Sequence, residues 1–288
     1  MPYNNILYIV LCILLTGVPC RAAEVLIIAD AQLKPVIDVT QGIHKTLHAS
    51  TKTYAPSEVH GGLAALVQRE EVRVVITLGN AALAEALELP PSIPVIYDLV
   101  VLPSTTTRPN TTGFFMATPV GEYASLIKNH LNSIKQIAVL GSRTQLDVLA
   151  LNAPQATAYS VSDSVELVKT VNRLETANAI LLLPDAAVLT ATAMDEAYLF
   201  SFRKGVPLLG VSERNVREGA LVALVVDMVQ VGRTIGETAT KALNGMDVGK
   251  IRPSPPEKFD LFLNTATAMK MDIQIPDEVI RMAKRVYP

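Results

Sequence analysis

Among the polar side chains of this 288-residue chain, no set has the types and spacing of a catalytic centre. His44 and His48 stand four apart, the spacing that lets two imidazoles on one helix share a metal ion. They flank an apolar stripe of Val36, Val39, Ile43 and Leu47, so they read as a helix flank rather than a metal pair. His60 and His130 fall at no ligand spacing. Glu70 and Glu71 are consecutive, so on a helix end they point apart into solvent instead of pairing as acid and base. Neither a G-x-G-x-x-G nor a Walker phosphate loop is present, and no serine sits in a G-x-S-x-G elbow. The expectation is a protein that is not an enzyme and needs no metal or cofactor.

The chemistry that remains is non-covalent. In an open parallel sheet, ligands lie beyond the carboxyl ends of the strands, where helix N-termini present unpaired N–H groups. In the first half that rule selects Asp30, Thr77, Gly79, Asn80, Tyr97 and Asp98. In the second half it selects Ser142, Arg143, Asp185, Ser212 and Glu213, while Asp227 falls on a hinge strand. The ligand-binding set expected from these is Asp30, Thr77, Gly79, Asn80, Tyr97, Ser142, Asp185, Ser212 and Asp227. Structural readings stand beside the functional ones: Gly79 as a strand-to-helix turn, Asp185 as a helix N-cap, Tyr97 as core packing. Glu213 and Arg214 read as solvated loop charges.

The elements that must hold these residues show as short, non-alternating Val/Ile/Leu runs, the pattern of strands buried on both faces. They are Val25 to Ile28, Val72 to Ile76, Val95 to Tyr97, Ile137 to Leu140, Ile180 to Leu183, Val206 to Leu209 and Leu221 to Val226. Helical patterns lie between them. Ser57 caps a segment carrying Val59, Leu63, Leu66 and Val67, and Thr118 with Pro119 opens another carrying Tyr123, Leu126, Ile127 and Leu131. A third, Gly-punctuated at Gly232 and Gly236, carries Ile235, Ala239, Ala242 and Leu243 and is stopped by Gly245. Strand and helix in alternation predict an α/β fold with doubly wound parallel sheets.

Residues Ile6 to Gly17 form an apolar or small-residue run of about a dozen, suited to a signal-peptide h-region and too short to span a bilayer. Cys20-Arg21-Ala22 offers small residues for cleavage before Ala23. Cys20 admits a second reading as a lipid-anchor site, although Gly17-Val18-Pro19 makes a poor lipobox. Both cysteines, Cys12 and Cys20, lie in this leader, so residues 23–288 hold no disulfide and no thiolate. A formal charge of −2 gives no reason to expect nucleic acid or an anionic membrane surface as partner.

An ordered series of segments carries a resemblance. It begins with Thr77-Leu78-Gly79-Asn80-Ala81-Ala82, Ile93-Pro94-Val95-Ile96-Tyr97, and Asn110-Thr111-Thr112-Gly113 leading to Ala117-Thr118-Pro119-Val120. It continues with Tyr159 to Ser164, Leu183-Pro184-Asp185, Gly205 to Ser212, Gly219 to Asp227, and Leu263-Asn264-Thr265-Ala266 with Ile275-Pro276. The series resembles the ABC-transporter substrate-binding proteins that include aromatic-amino-acid binders. Departures fall at Asp30 to Pro35, at the short Gly141 to Ala158 stretch, and at Ala186, where the family commonly carries a polar residue.

The resemblance implies two Rossmann-like lobes joined by a hinge, periplasmic binding protein type I-like. The organisation expected is a signal peptide over 1–22, one lobe from 23–117 plus 228–250, and the other from 118–227 plus 251–288. It also implies a periplasmic receptor that captures a small molecule, an amino acid in the family's better-known members, and hands it to an ABC permease in the inner membrane. For such a ligand, Gly79 and Asn80 would supply donors to the carboxylate, and Asp185 or Asp227 the acid for the ammonium. The alternative expectation is a ligand-sensing module that reports to a sensor protein.

Overall fold

A computed structural model describes residues 23–149 and 153–288; the expected leader, with Cys12 and Cys20, lies outside the described residues. The first half builds a five-stranded sheet from β1 (Val25–Ile28), β2 (Thr51–Tyr54), β3 (Val74–Leu78), β4 (Val95–Val100) and β5 (Thr111–Phe115). Their order is β2-β1-β3-β4-β5 and every neighbouring pair is parallel. The connections carry α1 (Lys34–Thr46), α2 (Pro56–Val59), α3 (Leu63–Arg69) and α4 (Asn80–Leu87). Strand residues alternate between two cores: Leu26, Val75 and Tyr97 enter one, Ile27, Ile76 and Ile96 the other.

The second half runs α5 (Val120–His130), β6 (Ile137–Gly141), α6 (Arg143–Leu149), β7 (Ala156–Ser160), α7 (Ser164–Val171), β8 (Ala179–Leu182), α8 (Ala191–Lys204), β9 (Leu208–Gly210), α9 (Glu213–Glu218) and β10 (Val222–Val226). There follow α10 (Met228–Leu243), a 3-10 turn at Val248–Lys250, β11 (Phe259–Asn264), α11 (Thr265–Lys270), α12 (Asp277–Met282) and β12 (Arg285–Tyr287). Strands β6 to β12 form a seven-stranded sheet in the order β12-β11-β10-β9-β8-β6-β7. The chain is therefore α/β with two mainly parallel sheets, the two-lobed, periplasmic binding protein type I-like arrangement.

One pairing is not parallel: β11 runs antiparallel to β10. The reason lies in the route of the chain. Helix α10 packs against α1 on the first sheet, and Val231, Ile235 and Ala239 share a buried cluster with Val36, Val39 and Ile43. The chain thus returns to the second sheet at the end where β10 left it, and it can only run back along β10 in the opposite sense.

Local chemistry explains where expected elements shift. The segment expected from Ser57 splits into α2 and α3, because Gly61 adopts φ 65° and Gly62 caps the second piece. Pro119, not Thr118, precedes the first residue of α5; the Thr118 hydroxyl instead donates to the Leu224 carbonyl at 3.1 Å. His44 lies in α1 but His48 beyond its end, so they do not share a helix face. Glu70 is not free in solvent: its carboxylate pairs with Lys52. Gly245, at φ 89°, closes α10 as expected, with the Met246 N–H donating to the Lys241 carbonyl.

Candidate ligand-binding site

Three crossings join the lobes, and they run side by side. Phe115 leaves β5 with its N–H donating to Ser254, and the Ser254 N–H donates back to Gly113, both at 3.3 Å. Asp227 leaves β10 with its N–H directed at Lys258 at 3.4 Å. Both β5 and β10 exit at their carboxyl ends, so the hinge joins the carboxyl edges of the two sheets, the edges where the rule for parallel sheets places a ligand.

At the first edge, Asp30 is exposed, and its carboxylate accepts from the Gln32 N–H at 3.2 Å in a local turn. Gly79 precedes α4 with φ 104°, a conformation that L side chains rarely adopt, and no atom lies within 4 Å of where a Cβ would stand. Asn80 is exposed in the first turn of that helix. Tyr97 lies within β4, in the apolar run that announces it, and Thr77 lies within β3 because that strand runs beyond its apolar stretch. Thr77 is buried with its hydroxyl unpartnered, and the Tyr97 hydroxyl accepts from the Ser104 N–H at 3.1 Å.

Asp98 is the unusual group of this edge. It is 0% exposed, and neither carboxylate oxygen makes a well-formed hydrogen bond. The register of β4 against β5 slips between Tyr97 and Val100, and Leu99 sits at φ 57° within that bulge. Burial pushes the Asp98 carboxyl up to about 7, offset in part by the Leu99 N–H.

At the second edge the predicted residues are helix and turn caps. The Ser142 N–H donates to Gln145 Oε1 at 3.0 Å, and the Gln145 amide nitrogen donates to the Pro184 carbonyl at 2.6 Å. Buried Gln145 thereby ties the end of β6 to the end of β8, a role no motif in the sequence announces. Asp185 accepts from the Ala187 N–H at 2.9 Å, and Ser212 caps α9 in a reciprocal pair with Asn215. Asp227 caps α10 through one oxygen, which accepts from the Gln230 N–H at 3.0 Å.

Between the lobes lies a groove of about 790 Å³. Lys34, Pro35 and Asp38 from α1 form one wall, Glu213, Asp260 and Arg285 the other, and the hinge segment 225–229 the floor. Asp227 is the member of the predicted set that lines it; Ser212 lines a separate recess, and the rest line neither. The second wall is a charge network that sequence reading missed. Arg285 reaches Glu213 at 2.5 Å, the Tyr287 hydroxyl also donates to Glu213, and Lys284 pairs with Asp260 at 2.5 Å. The bond from Tyr287, with Arg285 beside it, holds the Glu213 carboxyl below the usual carboxylate range. The β-branched Val286 and aromatic Tyr287 after two basic residues were the available signal for that edge strand. With Lys34, Lys284 and Arg285 against Asp38, Glu213, Asp227 and Asp260, the groove offers both signs of charge. Among the described residues, no group of three or more His, Cys, Asp or Glu side chains could hold a metal ion.

Residues 63–287 match the profile of a family described as ABC transporter substrate binding protein. No curated protein gives a significant match. Among solved structures, a ligand-free, open substrate-binding protein with adhesive properties from Clostridium difficile is similar, with a TM-score of 0.68 at 15% identity over 92% of this chain and 99% of that one. A conserved domain protein from Vibrio cholerae gives 0.60 at 19% identity, covering 92% and 99%. The ABC domain in complex with L-Trp from Streptococcus pneumoniae gives 0.56 at 18%, covering 91% and 100%. At these identities the likeness carries the fold.

Proposed function

The chain belongs to the ABC transporter substrate-binding protein family, and we propose that it is an exported receptor that captures an amino acid between its lobes for an ABC importer. Its lobes divide as 23–117 with 228–250 and 118–227 with 251–288. The observation that carries this reading is the groove whose walls come from both lobes and whose floor is the hinge at Asp227. A ligand that touches both walls stabilises the closed arrangement by its differential affinity for the two states.

The ligand class follows from the charges. Asp227 spends one oxygen on its helix and keeps the other for an ammonium group. The cations of the same groove, Lys34, Lys284 and Arg285, suit a carboxylate. The L-Trp bound by the Streptococcus pneumoniae structure is a zwitterion of this kind. Among the described residues, no helix is long and apolar enough to cross a membrane.

The test is a thermal-shift screen against amino acids, dipeptides, purines and small organic acids. A ligand at a hundred times its Kd adds about 2.7 kcal/mol, which is on the order of 5–10 °C for a chain this size. Asp227→Asn keeps the cap acceptor and removes the charge, so it should abolish the shift while leaving the unliganded Tm in place. A blank screen on folded protein sinks the receptor reading; an unchanged shift in the variant removes Asp227 from the site.

A further inference from the structure

The interlobe groove carries more acids than cations. Lys34, Lys284 and Arg285 stand against Asp38, Glu213, Asp227 and Asp260, so the lining keeps one negative charge in excess. All three cations are engaged. Lys34 pairs with Asp38 at 2.8 Å on the first-lobe wall. On the second wall Lys284 pairs with Asp260 and Arg285 with Glu213, both at 2.5 Å. Asp227, on the floor, forms no ion pair among the described residues; its one hydrogen bond there is the cap to the Gln230 N–H.

The excess lies toward the hinge. Asp260 raises the Lys284 ammonium above the usual lysine range, and Asp227 and Glu213 add to the effect, so three carboxylates act on that one cation. Tyr287 and Arg285 hold the Glu213 carboxyl below its usual range, so this wall stays ionised on both sides at neutral pH.

A bound amino acid rearranges these pairs. Its α-carboxylate needs one of the three cations, and taking any of them strips an acid of its partner. Its α-ammonium then answers only one of two unmet acids, Asp227 or the one displaced. With a neutral side chain on the ligand, one carboxylate would stay uncompensated after closure expels water, where an unpaired charge is costly. A second cation on the ligand removes that cost. Lys34 is the cation most easily redirected, since its side chain is 83% exposed and a surface pair one helical turn apart contributes little. Its departure leaves Asp38, on the first-lobe wall, without a cation.

We infer that the ligand is a basic amino acid, held by Lys34 at its α-carboxylate, by Asp227 at its α-ammonium and by Asp38 at its side-chain cation. The inference rests on the receptor reading above and names the substrate class of that same groove.

The experiment is titration calorimetry of the full chain with L-arginine and L-lysine, beside L-leucine and L-citrulline, the neutral isostere of arginine. Arginine and lysine should bind, and citrulline and leucine should be weaker by about tenfold or more, a difference of about 1.4 kcal/mol. Asp38→Asn makes the lining neutral and should bring the affinities for arginine and citrulline together at unchanged Tm. Citrulline or leucine binding as tightly as arginine would overturn the inference and leave the receptor reading standing. Folded protein that binds none of these and no other amino acid would overturn both. A preference for arginine that survives Asp38→Asn would show that the charge of the groove is not its source, and the inference would fall.

Discussion

Asp98 shows how much a single residue can cost a fold. Its carboxyl is buried without a partner, so the structure favours the protonated form and its pKa rises from 3.8 to about 7. The sign follows: the stability is complete below about pH 4, falls as the pH rises through 7, and is level above that. Asp98→Asn, which cannot ionise, should be flat across the same window. At pH 8 it should exceed the parent by about 2–4 kcal/mol, and at pH 4 the two should agree. Urea unfolding at both pH values reads this directly; equal slopes in the two proteins would refute it. Other residues show why polar side chains at strand ends are ambiguous. Ser142, Asp185, Ser212 and Asp227 all cap backbone, and the same oxygen that satisfies a helix N-terminus can face a ligand.

At the scale of elements, the glycines of α10 find their reason in α1. A Cβ on Gly232 would stand 2.0 Å from the Val39 carbonyl oxygen, and one on Gly42 would stand 2.1 Å from that of Val229. On Gly236 it would meet Thr46 Oγ1 at 2.3 Å. The two helices touch backbone to backbone, and the Thr46 hydroxyl donates to the Arg233 carbonyl at 2.8 Å across the seam. Gly232→Ala should therefore force the helices apart and cost about 3 kcal/mol in chemical denaturation. Gly121 in α5 has open space where its Cβ would be, so Gly121→Ala should be neutral or stabilise by up to about 1 kcal/mol. Equal effects at the two positions would show that the seam is not close-packed.

At the scale of the whole molecule, the lobes are linked by three adjacent segments and by one buried cluster that includes residues of both sheets, with Phe115, Ala117 and Val120 at the crossing. Closure must then pivot on a narrow axis while each sheet stays rigid, a hinge motion about a few element-terminal residues. Small-angle scattering should show the radius of gyration fall when a ligand from the screen is added at saturation, and should show no change for Asp227→Asn. An unchanged radius in the parent protein, with binding shown by calorimetry, would mean that capture occurs without closure.

The amino-acid sequence by itself determined the α/β alternation, the seven apolar strands and the Gly245 stop of α10, but not the helix starts, since Ser57 lies inside α2 and Thr118 turns to Leu224. The former depend on period and on local hydrogen bonding, which neighbouring residues carry. It did not show β2 and β7, whose Thr51-Lys52-Thr53-Tyr54 and Ala156-Thr157-Ala158-Tyr159-Ser160 are edge strands with too little buried surface for an apolar run. Only the tertiary structure decided that β11 runs antiparallel, because direction depends on where the chain re-enters across the hinge. It alone placed Thr77 inside a strand and left Asp98 buried without a partner, since burial is set by what packs on a face and not by the residue's type. The charge network of Glu213, Arg285 and Tyr287 joins positions about seventy residues apart, and such a contact exists only once the chain has folded.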